Sequence, residues 1–230
     1  MPPQFSVIIP TRNRETYLGD AVKSVLSQQG VSLELLIVND GEPLTITFKD
    51  PRVRVLDNRK RTAVPARNLG VSNAAGTYIA FLDDDDFWID PHHLEKAQAQ
   101  FDQYADFYFA DGEMWFFDGR VKLFALDATA TSLEKDNTIL ISAVCYRRCI
   151  HDKLGAFDEA LPYYWDWDWY LRVARGGFKL FHQSSPVVCI RVHENNMSGQ
   201  NETARRANLD ALQGKHNLPP IPLKNHTDFV

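Results

Sequence analysis

The chain has 230 residues, 44% hydrophobic and 24% charged, with 25 Lys+Arg against 30 Asp+Glu and a formal charge of −5. That length can build one large α/β domain with a substantial core, and the composition is that of a globular chain, not a disordered one. The acidic balance leaves no broad electrostatic footprint for nucleic acid, and no run approaches the roughly 18 consecutive apolar residues of a membrane span.

From the start, MPPQFSVIIPTRNR holds a single five-residue apolar stretch. It reads as a first strand ended by Pro10, not as a signal peptide or an anchor. Leu18, Ala21, Val22, Val25 and Leu26 then recur at helical spacing, predicting a helix over 17–28. The leucine-rich run 33–38 predicts a strand stopped by the turn tripeptide Asn39, Asp40, Gly41. A shorter strand is expected at 53–56, then a helix over 63–74 with Gly76 placed to cap it, then a strand over 78–82 that runs into Asp83, Asp84, Asp85 and Asp86.

Nearly all-apolar strands alternating with helices predict an α/β fold, with a mostly parallel sheet covered on both faces. Ligands of such sheets bind beyond the carboxyl ends of the strands. The three polar strand ends, 10–13, 39–41 and 83–86, should therefore lie side by side. From Asp111 onward the chain is richer in aromatics, with the run Tyr163, Tyr164, Trp165, Asp166, Trp167, Asp168, Trp169, Tyr170 and a strand over 186–192 leading to His193. The stretch 217–230 reads as a trailing arm. Cys145, Cys149 and Cys189 are too few for a disulfide framework and read as buried free thiols in a reducing cytosol.

Adjacent carboxylates repel by about 1 kcal/mol per pair in water and by several times that near a protein surface. Four at one strand end call for a cation, and a divalent metal shared with substrate phosphates is the usual one; a solvated acidic turn is the plainer alternative. No Gly-rich phosphate loop follows the first strand, so dinucleotide oxidoreductases and P-loop enzymes are excluded. Any phosphates would fall to metal and to arginines such as Arg12, Arg14 and Arg67, with the cluster Arg59, Lys60, Arg61 a lesser candidate.

The segments "SVIIPTRNR", "LELLIVNDG", "ARNLGVSNAAGTYIAFLDDDDFW", "GAFDEALPYYWDWDWYLR" and "RVHENNMS", in this order and spacing, resemble the successive motifs of inverting family-2 glycosyltransferases with the GT-A fold. The resemblance implies one GT-A domain over 1–230, with a nucleotide-sugar-binding half at 1–112, an acceptor and catalytic-base half at 113–215 and a tail at 216–230. It implies that Pro10, Thr11 and Arg12 meet base and ribose, that Asp40 accepts a hydrogen bond from the base, and that Arg67 lies near base and diphosphate. Asp83 and Asp84 match the ribose-and-metal carboxylates, Asp85 the direct metal ligand, and His193 a histidine that reaches the metal or diphosphate. Asp166 matches the catalytic base.

Two departures stand out. Arg12 occupies a position often aromatic in the family. Trp165 stands where a glutamate usually precedes the base, which makes Asp168 a rival to Asp166. The processive Gln-x-x-Arg-Trp signature is absent.

The implied activity is metal-dependent (Mn²⁺ or Mg²⁺) transfer of one sugar, with inversion. The donor is a nucleotide-diphosphate sugar, UDP first and dTDP next. The acceptor is a saccharide or lipid-linked saccharide, in polysaccharide or glycoconjugate biosynthesis. The implied place is the cytoplasm, with at most peripheral contact at the inner face of the membrane. The alternatives are a catalytically silent nucleotide-sugar-binding or assembly subunit on the same scaffold, a haloacid-dehalogenase-type phosphatase and a nucleotidyltransferase. The phosphatase motif asks for Thr or Val where Phe87 stands, and the nucleotidyltransferase needs a Gly-rich N-terminal loop.

Overall fold

Every residue of β1 (Phe5–Thr11) is buried, and the layering of the molecule follows from it. A strand points successive side chains to opposite faces, so a strand with no polar face must be covered on both sides. In the computed structural model, which describes residues 2–60, 62–193 and 201–230, Val7 and Ile9 pack against Leu18, Ala21 and Val25 of α1 (Glu15–Leu26). Ile8 points the other way, into a second apolar cluster.

β2 (Leu33–Asn39) is likewise fully buried and pairs with β1 in parallel, Phe5 opposite Leu33 and Thr11 opposite Asn39. β3 (Val53–Asp57) adds to the outer side of β2, again parallel. α2 (Ala63–Asn73) then crosses over and brings Val64 and Ala66 onto the Ile8 face before β4 (Tyr78–Phe81) pairs with β1. The α2 C-cap is Ala74, and Gly76 has another task. A Cβ on Gly76 would stand 2.5 Å from the Ser6 backbone nitrogen, so only glycine lets this turn close against β1.

After the acidic turn come β5 (Phe87–Trp88), α3 (His93–Gln103), β6 (Phe107–Phe116), β7 (Val121–Phe124) and α4 (Ala130–Leu133). β8 (Val144–Arg147), α5 (Ile150–Leu154), α6 (Trp165–Arg175), β9 (Leu180–Val192) and α7 (Glu202–His216) complete the regular elements. Among the described residues the strands form one mixed, largely parallel sheet in the order β3-β2-β1-β4-β8-β6-β9-β5, with β7 pairing β6 off that path. The parallel block β3-β2-β1-β4 comes first, and direction reverses at the β4–β8 pair. The acidic turn leaves the sheet at this junction.

α6 is amphipathic, with Trp167, Trp169, Tyr170, Leu171 and Val173 buried and two aspartates in its first turn, where carboxylates favour the positive end of the helix dipole. The stretch after α7 is not a trailing arm. Arg206 Nη1 donates to Ile221 O at 2.8 Å, Arg205 Nη2 to Lys224 O at 2.9 Å, and Lys122 Nζ to Val230 O at 2.8 Å, while Ile221 is buried. Prolines had suggested an unanchored arm; the anchors are side chains distant in sequence. Of the cysteines, Cys145 and Cys189 are buried free thiols and Cys149 is exposed.

Candidate active site

The ends of β1, β2 and β4 meet at one edge because β1 lies between the other two. Pro10, Thr11, Arg12, Asp40, Arg67 and the aspartates 83–86 all line a single cavity of about 820 Å³. That space can take a ligand of drug size or larger. Asp166 and Trp165 line the same cavity from the other half of the chain.

The four successive aspartates have different sets of partners, with Arg14 shared between Asp84 and Asp85. Asp83 accepts from Arg67 Nη2, and the Arg67 guanidinium also lies 4.5 Å from the centre of the Trp165 ring. Asp84 Oδ2 accepts from Thr11 Oγ1 at 2.7 Å and from the Arg12 backbone nitrogen at 3.4 Å. Burial pushes its carboxyl up to about 6, against the Thr11 hydrogen bond and with help from the neighbouring Asp85 charge. Asp85 Oδ2 lies 2.6 Å from Arg14 Nη1 and 3.0 Å from His193 Nε2. Asp86 is buried, accepts from Ser142 Oγ at 2.6 Å and from the Arg191 backbone nitrogen at 3.2 Å, and is raised well above the usual carboxylate range by burial and by Asp85. Asp86 thus ties the acidic turn to β9, and the three carboxylates before it carry the charge of the cleft.

Asp40 is buried at the end of β2, where Asn58 Nδ2 donates to its Oδ1 at 2.6 Å and its own backbone nitrogen donates to Thr11 O at 2.8 Å. Arg12 is exposed at the cavity edge, while Arg14 reaches inward to the aspartates. His193 stacks on Tyr17, with ring centres 5.9 Å apart and planes 4° from parallel. The polar loop after His193, with Asn195, Asn196 and Ser198, lies outside the described residues, as does Arg61.

The two rival carboxylates of α6 separate cleanly. Asp168 is 0% exposed and enclosed by Arg172 Nε at 2.9 Å, Lys215 Nζ at 2.7 Å and His216 Nε2 at 2.8 Å. Burial raises its pKa, but these partners outweigh that and hold it below the ordinary value. Asp166 faces the cavity instead, half-buried, its oxygens held by Asn137 Nδ2 at 3.0 Å and the Trp167 backbone nitrogen at 2.8 Å. Burial raises its pKa.

Sequence reading missed Asn137, Ser142 and Tyr17. Asn137 sits in an irregular segment 29 positions before its partner, with no pattern to mark it. Ser142 follows a short apolar run and looks like core.

The donor set fits a divalent cation. Asp85 Oδ2, in the cleft, and His193 Nε2, 3.0 Å from it, could supply one oxygen and one nitrogen. Among the described residues no group of three or more His, Cys, Asp or Glu is arranged to hold a metal ion. The remaining positions would fall to substrate and water oxygens, as is usual for ions that carry phosphates.

The profile of Glycosyl transferase family 2 matches residues 6–147. The chain belongs to that family. A glycosyltransferase is thereby established, and the matched span ends with β8, leaving Asp166 and His193 beyond it. YwdF of Bacillus subtilis (strain 168), described as an uncharacterized glycosyltransferase, is 34% identical over 241 residues, covering 96% of this chain and 87% of YwdF. The Escherichia coli UDP-Glc:alpha-D-GlcNAc-diphosphoundecaprenol beta-1,3-glucosyltransferase WfgD is 38% identical over 90 residues, 36% of each chain. Among solved structures, S. aureus TarS 1-349 in complex with UDP-GlcNAc superposes with a TM-score of 0.74 at 19% identity, covering 92% of this chain and 66% of that one. The mannosyltransferase PcManGT from Pyrobaculum calidifontis, in complex with GDP-Man and Mn²⁺, gives 0.64 at 15% identity, covering 96% and 67%. The fold is GT-A, as the motif order implied.

Proposed function

We propose that this family-2 enzyme transfers one sugar, with inversion, from a UDP-sugar to an acceptor hydroxyl, using Asp166 as general base and a divalent metal, Mn²⁺ or Mg²⁺, held by Asp85 and His193. The observation that carries the reading is that Asp166, Arg67 and Asp85, the last in contact with His193, belong to one cavity. dTDP-sugars are the next donor class, because thymine offers Asp40 the same N–H as uracil.

Each group has a task. Asp40 and Thr11, at adjacent strand ends, take base and ribose together with Pro10 and Arg12, and Asp83 and Asp84 border the ribose. Arg67 reaches the diphosphate with its guanidinium already oriented by Asp83 and Trp165. A divalent ion held by Asp85 and His193 would supply Lewis-acid stabilisation of charge on the leaving diphosphate. Asp166 receives the proton of the acceptor hydroxyl while that oxygen attacks the anomeric carbon from the face opposite the leaving group. Its raised pKa makes it a better proton acceptor than an exposed aspartate, and such general-base catalysis contributes about 10²–10⁴ in rate. One base without a protein nucleophile gives inversion.

A saccharide or lipid-linked saccharide is the proposed acceptor, the latter being the class in the name of WfgD, with a role in polysaccharide or glycoconjugate assembly. No described helix is long and apolar enough to cross a membrane.

Calorimetric titration with UDP, dTDP and GDP, each with and without Mn²⁺, tests the reading. Metal-dependent binding of UDP, lost in Asp85→Ala, is the expected result. A folded protein that binds none of the three would leave a catalytically silent scaffold as the better account.

A further inference from the structure

Arg191 stands near the end of β9, just before Val192 and His193, and it is tied to the elements around the Asp85–His193 pair. Its backbone nitrogen donates to Asp86 Oδ1 at 3.2 Å, and its Nη1 donates to the Asp85 carbonyl oxygen at 3.0 Å. Its Nη2 donates to Asp20 Oδ2 of α1 at 2.6 Å. The guanidinium also lies 4.6 Å from the centre of the Phe87 ring and 5.3 Å from that of Tyr17. One side chain therefore joins the acidic turn, α1 and the strand that leads to His193.

The same side of α1 reaches the pair directly. Tyr17 and Asp20 have the spacing that makes two residues neighbours on a helix surface. Tyr17 stacks on the His193 ring while Asp20 takes Arg191. β5 adds a backbone link, since Phe87 pairs with Cys189 of β9. Asp85 and His193 are 108 positions apart in the chain, so their 3.0 Å approach is set by tertiary ties.

We propose that Arg191 is a positioning residue for the divalent-metal site, fixing the Asp85 backbone against the strand end that presents His193. The inference rests on the metal assignment above. Arginine suits the task because its planar fork aims two nitrogens at separate, fixed targets, which an ammonium on a flexible stem does not. The contribution is one of geometry. The Asp20 side chain is 62% exposed, and an ion pair with so exposed a partner adds little to stability. Loss of a group that orients metal ligands, by contrast, typically lowers metal affinity about 10–100-fold. Arg191 also borders the cleft, so direct contact with the donor diphosphate is the competing role.

Calorimetric titration of UDP across a series of Mn²⁺ concentrations separates the two roles. In Arg191→Gln the Mn²⁺ concentration for half-saturation should rise about 10-fold or more, while UDP affinity at saturating Mn²⁺ stays at the wild-type value. Arg191→Lys should share the Mn²⁺ shift, because charge without the fork does not hold the Asp85 carbonyl. An unshifted Mn²⁺ dependence in Arg191→Gln overturns the proposal, and so does full rescue by lysine. UDP affinity that remains low at saturating Mn²⁺ would make Arg191 a donor contact and also overturn it. Should Arg191→Gln fail to fold, Asp20→Asn reads the same tie from α1, with a shift in the same direction expected and an unshifted dependence decisive against. Mn²⁺ binding without nucleotide, read by electron paramagnetic resonance of the free ion, keeps the readings apart. A wild type that binds Mn²⁺ but no UDP removes the donor assignment and leaves the Arg191 comparison intact. A wild type that holds no Mn²⁺ even with UDP overturns both.

Discussion

Arg14 and Asp85 form an ion pair of 2.6 Å on Oδ2, the same carboxylate oxygen that His193 Nε2 approaches to 3.0 Å. Arg14 also lies 3.5 Å from Asp84, so one guanidinium offsets the charge of two buried carboxylates. A divalent ion on Asp85 would take over that task and leave Arg14 to turn toward the diphosphate. Arg14→Gln should therefore lower the thermal midpoint of metal-free protein by about 2–4 °C, the shift roughly expected per kcal/mol for a chain of this size. Added Mn²⁺ should restore more of it than it adds to the wild type. Scanning fluorimetry with and without Mn²⁺ reads the difference, and equal metal shifts would contradict it.

Asp166 and Asp168 are two residues apart yet should fail in opposite ways. Asp166→Asn should leave the fold intact and reduce kcat by about 10²–10⁴, the usual contribution of a positioned base. Asp168→Asn strips a buried cluster of its anion and leaves Arg172, Lys215 and His216 facing one another, at a cost of about 3–5 kcal/mol. Denaturant unfolding of both variants, with their turnover, separates base from brace.

Trp165 stands where related sequences were expected to carry a glutamate, and the structure shows what it does instead. Its ring lies under the Arg67 guanidinium at 4.5 Å. Trp165→Leu should free that arginine and weaken UDP binding by about 1 kcal/mol, roughly fivefold, as for a desolvated cation–π contact. Calorimetry on the variant would measure it, and unchanged affinity would remove Trp165 from donor binding.

Stability should fall on acidification for a reason away from the site. His93 is fully buried against Trp88 and Tyr108, its Nδ1 without a hydrogen-bond partner among the described residues, and burial holds its pKa down to about 3. The unfolded chain binds this proton near pH 6.5 and the folded one near 3. Between those values the unfolded state holds more protons, so stability drops as pH falls, by about 1.4 kcal/mol per pH unit for this one group. His93→Leu should make the decline in unfolding free energy between pH 6.5 and 4 shallower by about that slope. An identical decline in both proteins would rule His93 out as the cause.

The donor half was readable because its signals are local. Strands at 5–9, 33–38 and 78–82 are uninterrupted apolar runs, and each observed strand lies within two residues of its prediction. β6 was hidden because Asp111, Gly112 and Glu113 interrupt its pattern, and its pairing with β9 shifts register at Asp111. β9 was expected to begin at 186 but starts at Leu180, since polar His182, Gln183 and Ser184 disguise its first half. In the cleft, residues within motifs could be named in advance. Asn137 reaches Asp166 through tertiary folding alone, and no spacing announces that.

The Arg67–Trp165 contact also has an optical consequence. An indole's emission responds to a positive charge held over its ring, and a nucleotide sugar bound beside Arg67 would change the surroundings of that pair. Trp165 is one of five tryptophans, and the signal lost in Trp165→Phe is its own. Occupancy of the donor pocket can therefore be followed in real time by light from the unlabelled protein.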